Sequence, residues 1–207
     1  MVPWFYSLCQ TLLYIIFKTW NRFSVIGLEN LPKKPQGFIL ASNHVSYLDP
    51  PVLGGGIPRP LVFVANQKLF KIRFLHKVIT MLGALPVAAD DDFRSLRTIT
   101  KALKGGSGVV IFPEGTRSTG DDMLEPQPGV AFLAKAAKVP IIPCYIHGTA
   151  DAWPPNKKCF RPRQIRVVLG KPINVIVAKN LNRDEIYLKT AQSVMDQIHK
   201  LKLGLKS

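Results

Sequence analysis

The chain has 207 residues, of which 47% are hydrophobic, so it is long enough for one domain with a sizeable core. Lys and Arg (28) outnumber Asp and Glu (13), and the formal net charge of +15 favours an anionic partner: nucleic acid, an anionic lipid surface or an acidic carrier. Cys9, Cys144 and Cys159 are odd in number and far apart, which excludes a disulfide framework and the paired spacing of a zinc site.

The first 17 residues contain no charged side chain, and basic residues follow at positions 18 and 22. As a helix this segment would span roughly 25 Å, slightly short of the roughly 30 Å hydrocarbon core of a bilayer. Aromatic residues at positions 4, 5, 20 and 23 are typical of a membrane interface. We therefore predict that residues 1–24 form an N-terminal apolar helix that contacts the membrane on one face. A core helix of a soluble protein is the alternative.

Short apolar runs bounded by Gly and Pro predict buried strands at residues 37–42, 60–66, 108–113, 140–148 and 164–172. Helical patterns follow at residues 68–83, 92–106, 128–138 and 182–203. We interpret the Gly-rich residues 53–60 as a loop, because they match neither nucleotide-binding glycine motif. The alternation predicts an α/β domain over residues 25–207, with a mixed, largely parallel sheet flanked by helices.

A histidine and a carboxylate follow the first strand, in the stretch NHVSYLD. If the chain turns after Asn43, the Asp49 carboxylate can meet the His44 ring, which is the arrangement of a general base and the group that orients it. The alternative is that Asp49 or Ser46 caps a helix that begins near Pro50. Neither Ser107 nor the cysteines lie in a nucleophile motif, so the attacking group of such a site would belong to the substrate.

A second polar stretch, FPEGTRS, follows the strand at residues 108–113. Amide groups near Gly115 and the forked guanidinium of Arg117 could hold a phosphate, and a solvated turn with an incidental Glu–Arg pair is the alternative. The helix predicted at residues 68–83 carries the basic residues Lys68, Lys71, Arg73 and Lys77. Such a basic face suits a membrane surface, and an ordinary solvated face is the alternative.

Together the two stretches resemble the signature motifs of the glycerolipid acyltransferase family, N-H-x-x-x-x-D and F-P-E-G-T-R-S, and VPIIPC at residues 139–144 resembles a later motif of that family. The resemblance covers residues 25–175. It implies transfer of a fatty acyl group from an acyl thioester to the hydroxyl of a lysophospholipid, with 1-acylglycerol-3-phosphate as the usual acceptor. It implies His44 as general base and Asp49 as its orienter. The substrate-binding residues implied by position are Glu114, Gly115, Thr116, Arg117, Pro140 and Ile142.

One position departs from the family pattern. A basic residue usually stands six residues after a glycine between the two main motifs, and here Gly83 is followed by Ala89. Lys68, Arg94, Arg97 or Arg117 could supply the missing charge, or the acceptor could be a different hydroxyl compound.

The resemblance implies a monotopic protein on the cytoplasmic face of a membrane, with membrane lipids and an acyl carrier protein or coenzyme A thioester as partners. We expect no cofactor, no metal and no nucleic acid. The alternatives are a thioesterase, which would hand the acyl group to water, and a non-catalytic basic module that binds lipid or nucleic acid. The module makes no use of His44 with Asp49, and residues 157–171 offer only Phe160 for base stacking.

Overall fold

The computed structural model describes residues 1–87, 92–117, 125–154, 160–178 and 180–205. Ala89, Ser118 and Cys159 lie outside these ranges. Within them the strands are β1 (Ser24–Ile26), β2 (Phe38–Ser42), β3 (Leu61–Asn66), β4 (Leu85–Val87), β5 (Gly108–Ile111), β6 (Ile141–His147) and β7 (Arg166–Leu169). The α-helices are α1 (Pro3–Trp20), α2 (Asp49–Gly56), α3 (Arg73–Met81), α4 (Asp92–Lys104), α5 (Gly129–Ala137), α6 (Thr149–Ala152) and α7 (Arg183–Gly204).

The strands form one sheet in the order β1-β7-β6-β2-β5-β3-β4. Every neighbouring pair is parallel except β6 with β7, which is antiparallel. The predicted mixed, largely parallel sheet flanked by helices is confirmed.

The centre of the sheet is its most apolar part. All five residues of β2 are fully buried, because one cluster of apolar side chains packs on each face of the sheet. Phe38 and Leu40 face one cluster, while Ile39 and Ala41 face the other. This burial on both faces explains why the sequence of β2 is a continuous apolar run rather than an alternating one.

The N-terminal helix α1 packs against α2, which contains the Gly-rich stretch. Glycines there let the chains approach closely: an added Cβ at Gly55 would lie 3.0 Å from Leu13 Cβ, and one at Gly56 would lie 2.5 Å from the Phe23 ring. The Gln10 side-chain amide also donates hydrogen bonds to the α2 carbonyl of Gly54 (3.0 Å) and to that of Ile57 (2.7 Å). The loop prediction for residues 53–60 was therefore wrong over Leu53–Gly56, which are helical.

The helix α1 has two unlike sides. Tyr6 and Phe17 are buried against the domain, whereas seven large hydrophobic residues are exposed: Trp4, Leu8, Leu12, Tyr14, Ile15, Ile16 and Trp20. The backbone N–H of Val2 donates to the carbonyl of Met81 (2.9 Å), so the start of α1 lies beside the end of α3. Among the described residues, none of the helices combines the length and the apolar character that crossing a membrane requires.

Candidate active site

Three neighbouring strands deliver the polar residues of the candidate site. Because β6, β2 and β5 are adjacent, the segments that follow them meet at one edge of the sheet. His44 follows β2, the Pro113–Arg117 turn follows β5, and Thr149 follows β6. The carboxyl ends of parallel strands are the usual place for a site in such a sheet.

The His44 ring and the Asp49 carboxylate form a hydrogen-bonded pair. His44 Nδ1 lies 2.8 Å from Asp49 Oδ2, and because a carboxylate can only accept, Nδ1 carries the proton of this bond. The same oxygen accepts from the backbone N–H groups of Val45 and Ser46, both at 2.8 Å. Asp49 is fully buried. The carboxylate thus reaches back to the turn before it, and no side chain caps α2, which rules out the capping alternative for Asp49.

Two residues from the segment after β5 contact His44, one at its ring and one at its backbone. The Phe112 ring stacks on the His44 ring at a centroid distance of 4.0 Å and an angle of 17°, which fixes the ring plane. The Glu114 carboxylate accepts a hydrogen bond from the His44 backbone N–H at 3.3 Å and is itself buried. Glu114 therefore supports the histidine loop.

The segment after β6 holds the histidine loop from its other side. Asn43 donates from its side-chain amide to the Ile146 carbonyl (3.1 Å) and accepts from the Ile146 N–H (2.8 Å), so it extends the pairing of β2 with β6. Three residues further on, the Thr149 hydroxyl donates to Asp49 Oδ1 at 2.6 Å. The asparagine of the motif thus has a structural role.

Arg117 lies on the aromatic ring of Tyr47. Its Cζ is 3.7 Å from the ring centroid, and its Nη2 donates to the Tyr47 hydroxyl at 2.9 Å. Both residues line a cavity that His44 also lines, and Tyr47 is 67% exposed, which places the pair where the cavity opens to solvent.

The cavity measures about 1050 Å³, which is at the upper end of small-molecule sites. Its walls are mostly apolar and come from α1, β3, α4 and α5, with Leu13, Phe63, Ile99 and Leu133 among the lining residues. Gly115, Thr116 and Arg117 line it beside His44. A basic imidazole, a guanidinium and a large apolar space therefore share one site.

Four backbone amides of the two motif loops donate hydrogen bonds within the protein. Those of Val45 and Ser46 donate to Asp49, that of His44 donates to Glu114, and that of Gly115 donates to the Phe112 carbonyl at 3.0 Å. In this conformation they do not form a site for an oxyanion.

Two residues predicted to line the acyl region do not do so. Pro140 and Ile142 are buried, Ile142 lies in the core, and neither belongs to the described residues that line the cavity. The Ile142 side chain packs in the core cluster with Phe38 and Leu40 of the neighbouring strand β2 instead. Lys68 lies in a 3₁₀ helix, Gln67–Lys71, and its side chain is outside the described part of the structure.

Tyr47, Phe112 and Thr149 were not predicted as site residues. Tyr47 and Phe112 lie inside the two motifs, but nothing in the sequence indicates that their rings contact Arg117 and His44. Thr149 is 100 residues from Asp49, and the one available signal was its place directly after a predicted strand.

A family model described as Acyltransferase matches residues 22–147, more than half of the chain. The chain belongs to the acyltransferase family. The matched region includes His44, Asp49 and the whole Pro113–Arg117 turn.

Individual relatives of this acyltransferase carry a more specific name. A Bacillus subtilis protein named 1-acyl-sn-glycerol-3-phosphate acyltransferase is 29% identical over 82% of this chain and 82% of its own length. A yeast protein of the same name, from Saccharomyces cerevisiae, is 32% identical over 84% of this chain, which spans 57% of the yeast protein. The crystal structure of the 1-acyl-sn-glycerophosphate acyltransferase PlsC from Thermotoga maritima superposes with a TM-score of 0.76 at 26% identity, covering 95% of this chain and 79% of that one.

Proposed function

We propose that this acyltransferase moves a fatty acyl group from an acyl thioester to the hydroxyl of a lysophospholipid, with 1-acylglycerol-3-phosphate as the acceptor, in phospholipid biosynthesis. The observation that carries the proposal is the hydrogen-bonded His44–Asp49 pair beside Arg117 at a large apolar cavity. The names of the relatives support the same acceptor.

In this mechanism the acceptor hydroxyl attacks the thioester carbonyl carbon directly. His44 Nδ1 carries the proton bonded to Asp49, so the ring takes up the hydroxyl proton at Nε2. The tetrahedral intermediate then expels the thiolate, and the imidazolium returns a proton to that sulfur. The products are the acylated lipid and a free thiol. A positioned base of this kind contributes about 10²- to 10⁴-fold to the rate.

The charged headgroup and the acyl chain call for different surroundings. The planar fork of Arg117 suits a phosphate by charge-assisted, bidentate hydrogen bonds. The apolar walls around Leu13, Phe63 and Leu133 suit the acyl chain, because apolar surface buried there contributes about 25 cal/mol per Å². Both ends of one lipid substrate can thus be held with its reacting group near His44.

The membrane placement rests on α1 and α3. The exposed apolar side of α1 and the exposed Ile72 and Phe74 at the start of α3 form a surface that water solvates poorly. Basic residues of the same region, Lys71, Arg73 and Lys77, lie where they can meet anionic headgroups. We place this surface in one leaflet, which makes the protein monotopic on the cytoplasmic face, where acyl carrier protein and coenzyme A thioesters are available.

The test is incubation of the pure protein, in lipid vesicles, with a labelled long-chain acyl thioester and a panel of acceptors, analysed by mass spectrometry. Coenzyme A and acyl carrier protein thioesters are compared as donors. The acceptors are lysophosphatidate, lysophosphatidylcholine and monoacylglycerol, with water as the remaining acceptor. We expect phosphatidate as the main product.

Other outcomes identify the rivals. Free fatty acid as the main product regardless of acceptor indicates a thioesterase. Transfer mainly to another lysolipid contradicts the proposed acceptor, 1-acylglycerol-3-phosphate, but still supports acyl transfer from a thioester to a lysolipid. No transfer from any thioester, together with salt-dependent binding of vesicles or DNA, indicates a non-catalytic module.

A further inference from the structure

We infer that Thr149 is a positioning residue for the His44–Asp49 pair. Its hydroxyl holds the second carboxylate oxygen of Asp49, and this keeps the first oxygen in line with the imidazole. The inference rests on the proposed function for its catalytic consequence, whereas its geometric content stands on the structure.

The two oxygens of Asp49 have separate partners. Oδ2 accepts from the His44 ring and from the amides of Val45 and Ser46, while Oδ1 accepts from Thr149 at 2.6 Å. A distance this short is typical of a hydroxyl that donates to an ionised carboxylate. Thr149 and Asp49 are both fully buried, so water has no access to replace the hydroxyl.

The turn that carries Thr149 is fixed by its own backbone. Gly148 has φ +86°, and a Cβ at this position would lie 2.0 Å from the Gln164 carbonyl oxygen, so only glycine fits. On the strand side, Ile146 is paired with the Asn43 side chain. The hydroxyl is therefore presented to Asp49 from a segment that two hydrogen bonds join to Asn43, the residue before His44.

Thr149 acts through Asp49. It is buried and is not among the described residues that line the cavity, so it does not contact the substrate. Without the hydroxyl, the buried Oδ1 loses this donor, and only the hydrogen bonds to Oδ2 oppose rotation of the carboxylate about its Cβ–Cγ bond. Rotation moves Oδ2 away from Nδ1, and the imidazole loses the partner that fixes its tautomer.

The test compares Thr149→Val, which keeps the side-chain shape, with Thr149→Ser, which keeps the hydroxyl. We expect Thr149→Val to lower kcat about tenfold and to leave KM for donor and acceptor within twofold, and Thr149→Ser to restore most of kcat. In the Asp49→Asn background, Thr149→Val should cause no further loss. A kcat within twofold of the original, or a full tenfold loss added to that of Asp49→Asn, overturns the inference.

A spectroscopic measurement needs no substrate. In protein labelled with ¹⁵N-histidine, the His44 Nδ1–H proton resonance, assigned with His44→Gln, should move in Thr149→Val and return in Thr149→Ser. An unmoved resonance counts against the inference. If Thr149→Val does not fold, Thr149→Ala takes its place in both measurements. Should the original protein transfer no acyl group, the proposed function fails while the resonance still reports on Thr149.

We also infer, from a separate observation, that Tyr47 positions Arg117 for an anionic headgroup. The Tyr47 ring and hydroxyl together hold the Arg117 guanidinium at the cavity, and the planar fork of a guanidinium suits a phosphate. Tyr47 lies in the chain between His44 and Asp49, so one turn sets the positions of both the base and the cation. This inference also rests on the proposed function.

The variants Tyr47→Leu and Tyr47→Phe separate the ring from the hydroxyl. We expect Tyr47→Leu to raise KM for lysophosphatidate about fivefold with kcat within twofold, and Tyr47→Phe to have a smaller effect because the ring remains. KM for monoacylglycerol, which lacks the phosphate, should not change. Equal increases for both acceptors, or a further increase in an Arg117→Ala background, overturn this inference. An original protein without activity on any lysolipid instead refutes the proposed function.

Discussion

The Tyr6 hydroxyl oxygen accepts a hydrogen bond from the backbone N–H of Leu61 at 2.9 Å, and this bond joins α1 to the first residue of β3. Burial raises the pKa of the Tyr6 hydroxyl above its ordinary value, so the group stays neutral. Together with the bonds from Gln10 to the end of α2, it makes α1 a fixed wall of the cavity. The outer side of the same helix is the exposed apolar surface.

Charges on that outer side should weaken membrane binding. Leu8 and Leu12 are about half exposed, so Leu8→Asp with Leu12→Asp changes the surface without opening the core. Because a charged group is costly to place among lipids, we expect a drop of at least tenfold in vesicle binding, measured by co-sedimentation.

Leu188→Asp on α7 is the matched control, since Leu188 is 44% exposed and distant in the chain. Equal vesicle binding by the double variant and the original protein would place the membrane surface elsewhere. Activity on a short-chain, water-soluble lysolipid should remain, because the inner side of α1 is unchanged.

Removing the imidazole of His44 should abolish most turnover. We expect His44→Ala to lower kcat at least about 100-fold, the low end of what a positioned base contributes, with the KM for the thioester nearly unchanged. Steady-state kinetics measure this. His199→Ala is the control, because His199 is exposed on α7 and is not among the residues that line the cavity. Turnover that survives in His44→Ala contradicts the role of the base.

Arg117 should affect the acceptor rather than the donor. We expect Arg117→Ala to raise KM for lysophosphatidate roughly tenfold, and Arg117→Lys to give an intermediate value because an ammonium keeps the charge but not the fork. KM for the thioester serves as the internal control. If both KM values rise together, Arg117 has a structural role instead.

Much of this site could be predicted from the sequence. His44 and Asp49 are five residues apart and follow an apolar strand, so a turn was enough to bring them together. Arg117 follows the neighbouring strand β5, and adjacent parallel strands have their carboxyl ends at the same edge of the sheet, which brings Arg117 near His44.

The remainder depends on contacts that sequence spacing does not encode. Thr149 meets Asp49 because β6 pairs with β2, and strand order is not visible in a single sequence. The sequence did not identify the glycines of α2 as helical. They are needed where α1 packs closely against α2, and α1 lies about 40 residues earlier in the chain. Short edge strands such as β1 and β4 have three residues each, too few for a period to be detected.

A buried arginine at the opposite edge of the sheet should be needed for stability. Arg59 is 8% exposed and donates to the carbonyls of Pro32 (2.7 Å), Gln36 (3.0 Å) and Gly106 (2.8 Å). Removing it leaves these acceptors without their donor, so we expect Arg59→Met to lower the free energy of unfolding by about 3 kcal/mol in a urea titration. Arg183→Met, at an exposed position, should change it by less than about 0.5 kcal/mol. A similar value for both variants would contradict the role of Arg59.

The two described cysteines should differ in reactivity. Burial raises the pKa of the Cys144 thiol to about 12, whereas Cys9 is partly exposed and lines the cavity. In a Cys159→Ser background at pH 8, we expect iodoacetamide to label Cys9 in the folded protein and both thiols in guanidinium chloride, as measured by mass spectrometry. Labelling of Cys144 in the folded protein would show that its surroundings open readily.

The same thiol makes stability depend on pH in a defined direction. The folded state keeps the Cys144 proton up to about pH 12, whereas the unfolded chain releases it near pH 9. The contribution of this thiol to the free energy of unfolding is therefore complete below pH 9 and falls as the pH rises from 9 towards 12. For one proton, the free energy of unfolding cannot fall by more than about 1.4 kcal/mol per pH unit. Urea titrations at pH 8 and pH 10 should show a smaller loss in Cys144→Ala, and equal losses in both proteins would refute the assignment.

Gly148 carries a consequence for interpreting variants of this chain found by genetic screening. It is not among the described residues that line the cavity, and a screen would score any substitution there as damaging because an added Cβ would clash with the Gln164 carbonyl. Such an allele would lower turnover by moving the threonine beside it, so a defect at residue 148 should be judged together with residues 49 and 44. Defects at these positions should therefore share one kinetic signature, a lowered kcat, although about a hundred residues separate Gly148 from the histidine loop.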